Sequence, residues 1–361
     1  METPLKKEIL FIDFEAITPN LFDKYTDYLV KEEIIYCFTI GKVINKAHFV
    51  KKTYFVDLKA FDFKVYQTLL KATLYQAIFD FVGKEVEINS DNITLYGWSP
   101  VLETKITSRY LKIPTQSLND KSVSLDDVYN YMESGEVDIF EPIRDLKINT
   151  KHNFNLKTVQ KTGLLASYLG FVIFMYQNNF PPVKNSITYD EYLLICDTLT
   201  KYNSLDVEKM FYILKNIKEA TKAIEHLTEI NAKILQISSQ ISKHHNFLTI
   251  IKSNLGLKKP DIFINKYLEN LEQENFKFQT KIEKSNQEDE VLIRNLKRNI
   301  KQNEYLIKRF KADSNCKTVK NVITKYSKYI NTLEKSKNQL REQKKLGNST
   351  KMKRKVPNNI K

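Results

Sequence analysis

Cysteine is scarce: Cys37, Cys196 and Cys316 are the three in 361 residues, far apart and without ligand spacing. This argues against a disulfide framework and a structural zinc site, and it fits a reducing compartment. No G-x4-G-K-[ST] run occurs, so P-loop phosphate chemistry has no support. The opening METPLKKEIL has neither the apolar stretch nor the small-residue cleavage site of a secretory signal. Long apolar runs are missing as well. The longest, LLASYLGFVIFMY at 164–176, is too short to span a bilayer and reads as core. These absences predict a soluble, cytoplasmic protein without a membrane partner.

Hydrophobic residues make up 42% of the chain and aromatics 12%, enough for a substantial core, and the length suits two domains. The net charge of +14 is unevenly placed. Residues 221–361 hold 31 Lys and Arg against 14 Asp and Glu, a net +17; residues 1–220 hold the other 26 against 29, a net −3. Clustered positive charge is the footprint expected for a phosphate backbone, though an anionic surface also attracts it. The expected division is an α/β domain over 1–220, a basic helical coiled-coil region over 221–345 and a disordered basic tail over 346–361.

Strands are predicted at 8–14, 34–41, 47–55 and 93–98 from their β-branched and aromatic content. Helical spacing covers 65–82, 101–111 and 188–218. That order suits a mixed sheet with helices packed on its faces. From 221 onward, Ala223, Leu227, Ile230, Ile234, Ile237, Ile241 and Leu248 follow steps of four and three, a coiled-coil seam. Gly256 and Pro260 punctuate it. Spacing resumes at Ile264, Leu268 and Leu271 and continues through Leu296, Ile300, Ile307 and Phe310; DSNCKT at 313–318 then precedes Val319, Val322, Tyr326, Ile330 and Leu333. Three long, basic, antiparallel helices are expected, with His244 and His245 solvated on their surface.

ILFIDFEAI, residues 9–17, ends an apolar strand with two carboxylates one residue apart. Side chains on a strand alternate, so Asp13 and Glu15 share a face while Ile12 and Phe14 take the other. Like charges on one face repel unless a cation or water relieves them. DNITLYGWSPVLETKI leads from a strand into a helix whose first turn carries Glu103, where the dipole favours an anion. KYNSLDVEKMF puts Tyr202 and Asp206 one helical turn apart. Each signal has an ordinary structural reading: a solvated strand end, a helix-start acid, a packed tyrosine. Asp126 and Asp127 read as a helix N-terminal feature.

In that order, D-x-E, a later acid and Y-x3-D, the chain resembles the DEDD family of 3′–5′ exonucleases, and within it the Y-x3-D branch. The resemblance covers residues 8–217. It implies an RNase H-like fold and a metal-dependent nuclease acting on DNA or RNA. Asp13 and Glu15 match the first motif, Glu103 the second and Asp206 the third, all metal ligands, and Tyr202 is the residue that positions the attacking water. Two Mg²⁺ or Mn²⁺ ions roughly 4 Å apart serve such chemistry, and hard cations want oxygen ligands. Lys201, one residue before Tyr202, excludes the H-x4-D variant. NFNLKTVQKTGL at 153–164 is similar to a family segment beside the site, with Lys157 taken as structural. The departure is Glu103, where most of the family has Asp; the extra methylene sets its carboxylate back or makes it act through water. The alternatives are an inactive RNase H-like nucleic-acid-binding module, or a coiled-coil assembly protein that self-associates or docks a protein partner through 221–345.

Overall fold

The computed structural model describes residues 7–25, 30–45, 48–133, 138–149, 156–159, 161–255, 262–284, 290–312 and 316–346. The expected basic tail, the Gly256–Pro260 punctuation and residues 313–315 lie outside these. The chain forms two compact units, Met1–Thr228 and Glu229–Lys345.

The first unit is built on a mixed five-stranded sheet. Its strands are β1 (Glu8–Ile17), β2 (Ile34–Asn45), β3 (His48–Phe55), β4 (Ile93–Gly97) and β5 (Gln116–Ser117), in the order β3-β2-β1-β4-β5. β1 runs antiparallel to β2 and parallel to β4; β3 is antiparallel to β2 and β5 parallel to β4. The two-residue β5 is not foreseen from the sequence because a stretch that short carries no periodicity. The helices are α1 (Pro19–Tyr25), α2 (Phe63–Val82), α3 (Val101–Tyr110), α4 (Leu125–Met132), α5 (Thr162–Gln177), α6 (Pro181–Lys184) and α7 (Tyr189–Lys215), followed by α8 (Ile217–Leu255).

Alternation along β1 assigns its two faces. Leu10, Ile12 and Phe14 join Tyr36, Phe38 and Ile40 of β2 in the main core, which also takes in α2 and the apolar α5. α5 is buried from Leu165 to Tyr176, as its composition predicts. Its backbone comes close to β2: the Tyr36 hydroxyl donates to the Ala166 carbonyl (2.9 Å), and a Cβ on Gly170 would stand 2.2 Å from the Tyr36 ring. Phe11, on the opposite face of β1, clusters with Trp98, Val123, Val128, Val207 and Met210. α7 packs across β1, β2 and β3. It starts with a reciprocal cap in which Thr188 and Glu191 each accept from the other's backbone amide. Gly41 of β2 lets α7 approach, since a Cβ there would lie 2.3 Å from the Phe49 ring and 2.7 Å from Val207.

Two expectations for the helical part change. Ala223 and Leu227, the first residues of the heptad series, pack in the first unit with Phe11 and Trp98. The later ones, Ile241 and Leu248, pack with Ile330, Tyr326 and Leu333. A helical repeat identifies a buried stripe, not its partner, so one series serves two cores. The expected middle helix is two, α9 (Ile264–Lys284) and α10 (Glu290–Lys311), packed against each other, before α11 (Val319–Leu346). The intervening SNQED is a poor helix interior, because Ser, Asn and Asp side chains compete for backbone groups. In the second unit Phe247, Tyr267, Leu306, Phe310 and Val322 form the core. No helix among the described residues is long and apolar enough to cross a membrane.

Candidate metal centre

β1 is the central strand, and its C-terminal half presents Asp13 and Glu15 on the α7 face, opposite Thr39 and Cys37 of β2. Pairing with β4 stops at Phe11 and Tyr96. Beyond that point the chain turns through Trp98, Ser99 and Pro100 into α3, which puts Glu103 beside the unpaired edge of β1. The backbone amides of Phe14 and of Glu103 itself favour the charged form of the Glu103 carboxylate. The longer side chain therefore lies in the first turn of α3, within electrostatic reach of the β1 backbone at Phe14.

α7 closes the site from the other side. One carboxylate oxygen from each of Asp13, Glu15 and Asp206 lies within 4.8 Å of the other two. Among the described residues this is the one group of three or more His, Cys, Asp or Glu able to hold a metal ion. Asp13 and Asp206 sit nearly two hundred residues apart in sequence, so their meeting is a property of the fold. Glu103 lies close enough for its charge to raise the carboxyls of both Asp13 and Glu15.

Three carboxylates cannot share a buried space without a penalty. Burial, and then the Asp206 charge, hold Asp13 and Glu15 well above the usual carboxylate range. Asp206 is pushed up to about 6 by burial, against the pull of Lys209 and with a further push from Asp126. Glu103 is raised by burial despite the two amides that favour its charged form. Tyr202, 7% exposed, packs its ring on Phe140 at 5.0 Å between centroids and accepts from the Thr162 hydroxyl. Burial and the Asp206, Glu15 and Asp13 charges hold its phenol protonated.

Two further residues at the site are not singled out by the sequence. Asn203, fully buried, donates to Asp13 Oδ2 at 2.6 Å, and its amide also favours the charged form of Glu15. Its own Oδ1 is buried without a hydrogen-bond partner, so a cation or water donor would satisfy it. Lys209 donates to Asp206 Oδ1 at 2.7 Å and to Asp126, with its side chain only 7% exposed. A signal for both exists: Asn203 and Lys209 flank Asp206 at i−3 and i+3, on its face of the helix. Asp126 follows the Ser124 cap of α4, as expected, and reaches Lys209 as well. Lys157 pairs with the exposed Asp145 at 2.7 Å. Residues 153–155 and 160 of its segment lie outside the described ones.

This donor set fits hard divalent cations. It is all oxygen, converges from three elements, and carries more negative charge than its single buried ammonium offsets. Comparison with protein-family models, with curated proteins and with solved structures finds no match.

Proposed function

We propose that the first unit is a divalent-metal-dependent nuclease that hydrolyses phosphodiester bonds, a 3′–5′ exonuclease of the DEDD type on DNA or RNA. The observation that carries this reading is the convergence of Asp13, Glu15 and Asp206 in one buried cluster, with Glu103 at its edge and Tyr202 one helical turn from Asp206. The mixed sheet with β1 at its centre and helices on both faces supports the RNase H-like resemblance. Asp13, Glu15, Glu103 and Asp206 would hold Mg²⁺ or Mn²⁺. Such ions supply Lewis-acid polarisation of phosphoryl oxygens and a nucleophile at neutral pH.

The chain's own residues supply the rest. Asn203 fixes the Asp13 carboxylate, and Lys209 fixes Asp206. Tyr202 stays a neutral phenol, so it orients a water by hydrogen bonding and is not the base. Glu103, outside the close group of Asp13, Glu15 and Asp206, is the acid set back from the other three, in the place where the family's second motif has Asp. The test is hydrolysis of end-labelled single- and double-stranded DNA and RNA with Mg²⁺ or Mn²⁺. The expected result is shortening from the 3′ end by the native chain and none by Asp13→Asn. Absence of cleavage on every substrate, with no metal uptake by isothermal titration, would overturn the reading. A second reading, a silent nucleic-acid-binding module, is favoured by Lys209, whose ammonium already neutralises part of Asp206; it predicts strand binding without cleavage.

A further inference from the structure

The second unit contains a cavity of about 440 Å³ between α8, α10 and α11. α11 supplies most of it through a doublet, Lys325-Tyr326 and Lys328-Tyr329, whose members recur three residues apart and so share one helical face. α10 adds Arg309 and α8 adds His244. The His244 ring lies 5.1 Å from both the Tyr326 and Tyr329 rings, so His244 is half-buried among aromatics, while His245 is exposed as expected. Arg309 stacks over Phe247 and Tyr326, at 5.1 and 5.2 Å from their centroids.

Arg309 has no acidic counterpart in this cavity. Its Nη2 approaches His244 Nδ1 at 3.3 Å, and because a guanidinium can only donate, the imidazole nitrogen is the acceptor in this pair. Arg309 Nε is buried without a hydrogen-bond partner. No carboxylate lines the cavity or pairs with Arg309 among the described residues. A half-buried guanidinium with two lysines lining the same cavity draws an anion. Tyr329, 46% exposed, offers a ring face at the mouth. Aromatic faces with adjacent cations are what single-stranded nucleic acid uses, base on ring and phosphate on cation. The volume lies within the ~300–1,000 Å³ of ordinary small-ligand pockets.

We infer that this cavity binds one nucleotide of a single strand, its base stacked on Tyr329 and its phosphate held by Arg309, Lys325 and Lys328. The inference rests on nucleic acid being the ligand but not on hydrolysis. It is therefore tested with the full chain in EDTA, by fluorescence anisotropy, with a labelled twelve-nucleotide oligothymidylate and an abasic strand of equal length. Tyr329→Ala should weaken the thymidylate strand about tenfold and leave the abasic strand unchanged, while Tyr329→Phe binds like the native chain. Lys325→Gln with Lys328→Gln should weaken both strands and flatten the log–log salt slope by about 1.4, two contacts on a single strand. Lys297→Gln with Lys301→Gln, the same charge loss two to three turns along α10, should leave the preference for bases intact. Equal losses on both strands for Tyr329→Ala, or a control pair as damaging as the α11 pair, would reduce the site to diffuse charge and overturn the inference. Native protein that binds neither strand would also overturn it and assign the cavity to another partner, such as an acidic peptide. Cleavage with an indifferent α11 sinks this site alone; α11-dependent binding without cleavage sinks the nuclease reading alone.

Discussion

Replacing Asp206 by Asn should stabilise the metal-free protein, the opposite of what removing a salt-bridged acid usually does. Asp206 rises from an ordinary 3.8 to about 6, even with Lys209 at 2.7 Å. Its side chain is 13% exposed, so solvent screens little of this. Each pH unit of that rise is worth about 1.4 kcal/mol, so ionising Asp206 costs the fold about 3 kcal/mol at pH 8. The folded state holds the proton more tightly than the unfolded chain. Stability from this group is therefore full below about pH 4, is lost as pH rises through 6, and stays lost above. Asn mimics the protonated acid and removes the loss. A unit of this size shifts by about 2–4 °C per kcal/mol, so Asp206→Asn should melt roughly 6–12 °C higher than the native chain at pH 8 in EDTA, and nearly equal to it near pH 4. The chain's single tryptophan makes this measurable: Trp98 is buried in the first unit, its indole N–H donating to the Val123 carbonyl at 2.9 Å. Its fluorescence reports that unit even if the helical unit melts separately. Saturating Mn²⁺ should reverse the order, because the native cluster gains more from the ion. A variant that melts below the native chain in EDTA at pH 8 would refute the reasoning, since Asp206 would then be an acid fully compensated by Lys209.

Glu103→Asp should retain hydrolysis, whereas Glu103→Ala should lose most of it; indifference to the alanine would remove Glu103 from the site. Tyr202→Phe forfeits one hydrogen bond from Thr162, about 1 kcal/mol of stability, yet should slow single-turnover cleavage about 100-fold. Asn203→Ala frees Asp13 from its 2.6 Å donor, and metal affinity by isothermal titration should fall about 10- to 100-fold. Gly41→Ala forces a methyl against Phe49 and Val207; it should cost about 1–3 kcal/mol in urea and reduce cleavage by displacing α7.

The sheet's order of elements is legible in the sequence because period-2 and period-3.6 patterns are local properties. The strands expected from composition match β1, β2, β3 and β4 to within a few residues at their ends, and the alternation argument gives the faces of Ile12, Asp13, Phe14 and Glu15 correctly. What a local pattern lacks is the partner. Ala223 and Ile241 illustrate this: they belong to one heptad series, yet the first packs in the core around Trp98 and the second in the core around Ile330. The division of α9 from α10 is hidden for a related reason, since helical apolar spacing is present on both sides of SNQED and outweighs the weak helix propensity of its Ser, Asn and Asp.

The same distinction explains why the acids of the site are readable and their supports are not. A carboxylate inside an apolar run is locally anomalous, so Asp13 and Glu15 stand out. Asn203 and Lys209 sit in a helix where either residue is unremarkable on an exposed face. They become meaningful only when Gly41 brings α7 down on the sheet and both are buried. That burial sets a requirement. A lysine 6% exposed must be paired to stay charged, and it is paired twice, with Asp206 and Asp126. Asp206 consequently has its Oδ1 engaged by Lys209 while its carboxylate stays within 4.8 Å of those of Asp13 and Glu15. The bridge from α4 through Lys209 to α7 thus fixes the acid's orientation before any ion arrives, with an extra buried charge as the penalty. A structural cluster with no ligand would be more stable with apolar residues at Asp13, Glu15 and Asp206; retaining all three around one ammonium makes sense when the cluster binds cations.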